Sequence, residues 1–287
     1  MWQILIIFYF IFGAASYLLR RVLAQRLGEH NRLINSVFFL FFLLPAGAVL
    51  YFFLPGNLNV GVANIALLLG GSLIFPVANI AAFHANKKVD VGIFTIINNL
   101  SPLFTLAIAL PFLHESLRAP QFFGAGLLIV SGVLAAAAQF NKKNRSSIDG
   151  VLMCLLATGI LGVAFAYERF MLNRVDFGAY LVYGWGAQIV WALILARKEF
   201  KNLPQLFSKH TGARKIVFFW GLASVLKSAA FISALRLSTA SVISSASNFL
   251  SVVVVVAAFF FLKERKHIIH KILAVAVGLA GLLFIAG

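Results

Sequence analysis

Apolar residues run along this chain in blocks of about twenty, broken by short stretches of Arg, Lys, Asn, Pro and Gly. A helix needs roughly 18 or more such residues to cross the hydrocarbon core of a bilayer, and most of the blocks reach that length. The alternation of a membrane barrel strand is absent. Helices are therefore the expected spanning element, since each satisfies its own backbone hydrogen bonds in lipid. Ten spans fit: Trp2 to Val22, Leu33 to Leu54, Gly61 to Ala85, Val91 to Leu113, Gln121 to Phe140, Gly150 to Leu172, Tyr180 to Ala196, Lys215 to Leu235, Ala240 to Leu262 and Ile268 to Ala286. Pro55-Gly56-Asn57 ends the second, Pro120 opens the fifth, and residues 141–149 form a polar hinge.

The polar punctuation repeats. Asn98-Asn99-Leu100-Ser101-Pro102, Leu113-His114-Glu115 and Gly132 are echoed by Ser247-Asn248-Phe249-Leu250-Ser251, Leu262-Lys263-Glu264 and Gly281. Asn99 to Asn248, Glu115 to Glu264 and Gly132 to Gly281 are each 149 positions apart, and Gly13, Ala15 and Arg20 fall on Gly162, Ala164 and Arg169 at the same offset. The unit is thus five helices used twice, residues 1–140 and 150–287. Five is odd, so the second copy enters the membrane upside down. The expected fold is an all-α integral membrane protein of ten transmembrane helices, a 5+5 inverted repeat with the substrate site between its halves.

Composition agrees with a bilayer protein. Of 287 residues, 62% are hydrophobic and 11% charged, too little polar surface for a water-soluble domain. The net charge of +16 would suggest nucleic acid in a soluble protein, but these cations sit in short loops between apolar runs, a topological pattern. The odd-numbered loops and adjoining helix ends hold 19 Lys and Arg, from Arg20 and Arg21 to Lys271, against 4 in the even-numbered ones, with Lys227 left inside a span. The positive-inside rule then puts the odd loops in the cytoplasm and both termini outside a plasma (inner) membrane. The first segment has no basic stretch before it and no small-residue cleavage site after it, so it reads as a retained helix. Cys154 is the only cysteine, which excludes an intrachain disulfide and a cysteine metal site.

These motifs resemble the drug/metabolite transporter superfamily in its EamA-like ten-helix branch, over essentially the whole chain. The resemblance rests on the small-residue first helix from Gly13-Ala14-Ala15-Ser16 to Arg20, on Ser101-Pro102, on the acidic positions His114-Glu115 and Lys263-Glu264, and on Gly124 to Gly132. It implies a secondary transporter of small organic solutes. It does not select among amino-acid and metabolite exporters, sugar-phosphate carriers and drug pumps. His114 and Lys263 stand where the family has Gly before the acid, and the charge count reverses the usual family orientation, which has both termini in the cytoplasm.

Ionisable groups inside a span cost a few kcal/mol, about 2.5–3.5 on insertion scales, and so mark candidate sites. Lys227 lies well inside the eighth span and Glu168 near the end of the sixth, at depths that agree within about one helical turn. A Glu168–Lys227 pair would either lock helices together or bind a charged substrate group or a coupling proton. Asn98, Asn99 and Asn248 occupy related places in the two copies, and Asn79 follows the kink expected at Pro76; an amide suits a zwitterionic or carbonyl-bearing ligand, or interhelical glue. Tyr17 and Tyr167 sit beside small-residue stretches that let helices approach a central cavity. Gly132, Ala136, Ala274 and Gly278 offer small-residue spacing for packing within a monomer or for a homodimer seam.

No nucleotide-binding loop of the Gly-x-x-x-x-Gly-Lys-Ser/Thr type is present, and His and Asp residues lie near span ends or in loops. An enzyme and a channel are the weaker readings. The expectation is a carrier, an exporter of amino acids or related metabolites, with no cofactor or metal, protons as the candidate coupling ion, and the lipid bilayer and a small-molecule substrate as its partners. Efflux of cationic or amphipathic compounds is the alternative.

Overall fold

A computed structural model describes residues 2–27, 30–113, 119–139, 145–206, 213–237, 249–264 and 267–286. All regular structure among them is helical: α1 Trp2–Leu27, α2 Asn31–Phe53, α3 Val62–Lys88, α4 Val91–Asn98, α5 Ser101–Leu113, α6 Ala119–Gln139, α7 Arg145–Leu172, α8 Phe177–Ala196, α9 Ala213–Leu237, α10 Leu250–Phe261 and α11 Ile268–Ala286, with two short helical turns between Phe200 and Leu206. Six helices among the described residues are long and apolar enough to cross a membrane, and three further apolar helices are shorter. Large side chains face outward along them, Val62 being 83% exposed and Phe52 and Phe261 each 79%, as lipid-facing positions of a multi-pass membrane protein require.

Where helices depart from the predicted spans, packing or a backbone constraint is responsible. α1 continues five residues past Val22 because Leu23 and Ala24, both fully buried, pack with Leu33, Ile34, Phe83 and Trp220. α7 starts at Arg145, so the second half of the 141–149 hinge is helical. In α2 a π turn, Phe39–Leu43, ends two residues before Pro45, whose missing N–H cannot serve a carbonyl one turn back; the wider turn absorbs the mismatch. α8 contains a second π turn, Tyr180–Trp185.

Two helices break at mid-length. In α3 the Gly70-Gly71 pair and Pro76 flank a turn at Ser72-Leu73, closed by Leu73 N–H to Gly70 O at 3.3 Å. Asn99-Leu100 separates α4 from α5 with tight turn bonds from Asn99 N–H to Ile96 O (3.1 Å) and Leu100 N–H to Ile97 O (2.9 Å). α5 begins at Ser101 and α10 at Leu250, and each has the same bond across its start: Leu103 N–H to Leu100 O at 2.9 Å, Val252 N–H to Phe249 O at 3.1 Å. Starts, donors and acceptors are all 149 residues apart.

The most extensive packing joins α6 to α11, α1 to α9, and the second half of α3 to α7; α5 also packs on α7, α1 on α10, α4 on α10 and α2 on α8. Small residues of α11, Ala274, Gly278 and Gly281, pack against α6. Ser131 Oγ donates to Ala274 O at 2.6 Å, and a side chain added at Gly278 would meet Ser131. A Cβ at Gly281 would lie 2.7 Å from Gly124 O and 3.0 Å from Leu128 N, backbone atoms that cannot step aside. Gly281→Ala is expected to lower stability by roughly 1–3 kcal/mol, measured as thermal unfolding in detergent. Gly126→Ala, which meets nothing within 4 Å, is expected to hold or gain stability on helix propensity.

Candidate functional site

The breaks in α3 and between α4 and α5 border a cavity of about 60 Å³, lined by Tyr17 and Arg20 of α1, Phe75, Ala78, Asn79 and Ala82 of α3, Phe94 and Asn98 of α4, and Ala157 and Leu161 of α7. The small side chains at positions 78, 82 and 157 leave the space between the helices unfilled. Arg20 reaches in from α1, three residues after Tyr17 and so on the same helix face. Its Nη2 donates to Asn79 Oδ1 at 3.4 Å, and its guanidinium carbon lies 5.7 Å from the Tyr17 and Phe83 ring centres and 5.9 Å from that of Trp220. Lys227 of α9 approaches the same tyrosine, its Nζ 5.5 Å from the ring centre. Ser16 and Ser224 hydroxyls, 2.7 Å apart, fix α1 against α9 just beside this point. Two cations therefore share one tyrosine at the edge of an otherwise apolar and amide-lined space.

Next to Arg20 along α1, Arg21 belongs to a separate cluster of charge. Asp90, between α3 and α4, and Glu264, between α10 and α11, meet Arg21 of α1 and Lys271 of α11. Lys271 Nζ lies 3.0 Å from Asp90 Oδ2 and 3.8 Å from Glu264 Oε2; Arg21 lies 3.8 Å from Asp90 and 3.9 Å from Glu264. The Val91 and Gly92 N–H groups at the start of α4 donate to the Glu264 carboxylate at 3.1 and 3.4 Å, the usual preference of a helix N-terminus for an anion. Arg21 also donates to Asn86 O. Lys271 is 1% exposed. The turn that presents Glu264 holds Lys263 at φ 56°, a left-handed conformation, and is closed by Glu264 N–H to Ala258 O at 3.2 Å. Burial, and then neighbouring Asp90, push the Glu264 carboxyl above its ordinary value; the two backbone N–H groups and Lys271 pull it back only in part.

The residues singled out in the sequence divide three ways. Tyr17, Asn79 and Asn98 line the cavity and Lys227 stands beside it. Asn99 does not line it: its amide donates to Ser251 Oγ at 3.0 Å, tying the α4–α5 break to α10. Tyr167 and Glu168 turn elsewhere. The Tyr167 hydroxyl donates to Leu67 O at 3.0 Å, and Glu168 lies next to Tyr180. Asn248 and Glu115 lie outside the described residues. The expected Glu168–Lys227 ion pair is not formed. Equal depth is not proximity: α9 runs along α1 while α7 runs along α3 and α5, so the two side chains open toward different neighbours.

Arg20, Arg21 and Lys271 all read as loop charges in the sequence, since each stands at the edge of an apolar run. The signal that would have placed Arg20 is its i, i+3 spacing from Tyr17 together with the apolar Val22, Leu23 and Ala24 beyond it, which carry the helix past the charge. Comparison of the chain with profiles of known protein families gives no match, and neither does comparison with curated protein sequences.

Proposed function

We propose that this chain is a secondary carrier of small organic solutes that works by alternating access around the cavity between Tyr17 and Asn98, its ten helices forming two five-helix halves inserted in opposite senses. The observation that carries this reading is the pattern of helix contacts. Exchanging the halves turns α1 with α9 into α7 with α3, and α5 with α7 into α10 with α1, all of them packed pairs; α2 with α8 and α6 with α11 map onto themselves. A half-turn axis in the membrane plane demands this exchange, and the paired backbone turns before Leu103 and Val252 obey the same 149-residue shift.

Some pairings break the exchange: α1 and α2 each pack on α3, but α7 and α8 do not pack comparably on α9. A carrier resting at one end of its cycle has such an inequality, because the two halves meet differently on the two sides. The cavity, at about 60 Å³, has room for a few waters and is well below the ~300–1,000 Å³ of sites that enclose organic ligands. Solute entry thus requires the halves to separate, and the Arg21–Asp90–Glu264–Lys271 cluster lies on the side that the loop charges assign to the cytoplasm. The motif resemblance to the EamA-like transporters is in keeping with this function, in a plasma (inner) membrane and with protons as the candidate coupling ion.

Two experiments test it. Purified protein is screened for thermal stabilisation by solutes of different charge, and the stabilising solute is then followed in proteoliposome counterflow; acceleration by unlabelled internal solute is expected. Absence of exchange for every stabilising solute, or recovery of a chemically altered product, overturns the carrier. Single cysteines at the exposed positions Asn57 and Lys201 test topology, with buried Cys154 giving little background. Asn57→Cys is expected to label from outside intact cells and Lys201→Cys only after permeabilisation; labelling of both from one side removes the inverted arrangement.

A further inference from the structure

Among the described residues, no acid pairs with Arg20 or Lys227 at the cavity. Eight carboxylates serve the whole chain against 24 Lys and Arg. Of the six whose positions are described, Asp90 and Glu264 belong to the cluster with Arg21 and Lys271, Asp149 pairs with Lys88, Glu199 with Arg32, Asp176 accepts from Asn57 N–H, and Glu168 lies beside Tyr180. None is within ion-pair distance of Arg20 or Lys227. Arg20 is met by one amide oxygen at 3.4 Å and three aromatic faces, and its Nε is buried with no hydrogen-bond acceptor among the described residues. Aromatic faces and an amide compensate a buried guanidinium only in part, and a second cation beside it adds like-charge repulsion.

A pair of under-compensated cations at such a cavity is built for a negative ligand. We infer that the solute of this cavity is a small organic anion, its carboxylate or phosphate held between the Arg20 guanidinium and the Lys227 ammonium, and its apolar body against Phe75, Phe94 and Leu161. This deepens the carrier reading and rests on it. A guanidinium fork matches either oxyanion in two parallel hydrogen bonds, while the ammonium acts as a point charge. Asn79, already in contact with Arg20, and Asn98 add amide donors to the lining. The zwitterionic solute expected from the sequence needed an acid in the same space, and Glu168 is not there; a cationic solute would meet two like charges.

The test uses the full chain purified in dodecyl maltoside, with succinate, benzoate and inorganic phosphate as anionic probes, glucose as neutral, choline as cationic, and phosphatidylglycerol as a lipid source of phosphate. The expected result is a raised melting temperature with soluble anions and little change with glucose or choline. Arg20→Gln and Lys227→Met should each raise the half-saturating anion concentration at least tenfold, and Lys227→Arg should retain it. Because Arg20→Gln keeps part of the volume and of the hydrogen bonding, its unliganded melting temperature separates lost binding from lost folding; Lys227→Met serves if Arg20→Gln fails to fold. Stabilisation by glucose or choline but not by anions, stabilisation by the lipid alone, or unchanged anion affinity in both variants overturns the inference. If a neutral or cationic solute still shows counterflow, the carrier stands and only the anion falls; anion binding without counterflow sinks the carrier and leaves an anion site.

Discussion

Lys271→Met is expected to lower the unfolding free energy by about 3–5 kcal/mol at neutral pH, the usual cost of removing one partner from a buried charge cluster. The arrangement explains the size. Arg21, Lys271, Asp90 and Glu264 form a set of two cations and two anions, and Lys271 touches both carboxylates. Without it, two acids share a single guanidinium that lies 3.8–3.9 Å from each. Methionine fills similar volume, so the loss reports charge rather than a void. Lys271→Arg should recover most of the stability. Thermal or denaturant unfolding in detergent measures both; a Lys271→Met protein as stable as the parent would show that the cluster contributes nothing to stability.

The same variant carries a signed pH dependence. The Glu264 carboxyl is already raised above its ordinary value of 4.5 by burial and by Asp90, and Lys271 is one of the groups that hold it down. A carboxyl raised on folding contributes stability that is fully present below its unfolded value and is lost as pH rises through its folded value. In the parent, stability should therefore decline across that window. In Lys271→Met the window should widen upward, and the deficit against the parent should shrink as pH is lowered toward 4.5, where the acid takes up a proton and relieves the imbalance. Glu264→Gln should flatten the slope in both backgrounds.

The helices were legible because bilayer chemistry leaves few choices. An apolar run bounded by Pro55-Gly56-Asn57 or Pro120 has to be a helix of roughly that extent, and the 149-residue register carried Ser101 onto Leu250, where α5 and α10 both begin. Less was legible wherever a residue's meaning depends on its neighbour across the bundle. Arg21, Asp90, Glu264 and Lys271 span 250 positions of sequence and look like four ordinary loop charges. Glu264 accepts from the first N–H groups of α4, and its two cationic partners were not foreseeable from spacing. Asn98 and Asn99 are adjacent in sequence and opposite in consequence. The turn between α4 and α5 sends one toward the cavity and the other to Ser251, a distinction that hydropathy does not contain. Glu168 and Lys227 failed as a pair because depth along the membrane normal is one coordinate of three.

Ala78→Leu is expected to cut solute exchange by about a hundredfold while leaving the melting temperature unchanged or slightly higher. Ala78 is nearly buried on α3 and borders the cavity, so a larger side chain has an empty direction to enter. Three added carbons would occupy apolar space at roughly 0.8 kcal/mol of favourable burial each, offset by whatever strain the walls impose. The same carbons stand where a solute must fit, and a clash of about 2.7 kcal/mol, well inside the overpacking range, is a hundredfold in affinity. This opposition of signs is the point of the substitution. A residue that matters only for packing loses stability and transport together when it is altered, whereas one that borders a working site can gain the first and lose the second. Counterflow in proteoliposomes beside thermal unfolding of the same preparation reads both quantities. Normal exchange by a stable Ala78→Leu protein would mean that solute passes elsewhere, and the space among Tyr17, Arg20, Asn79 and Asn98 would then be only a packing defect between α1, α3, α4 and α7.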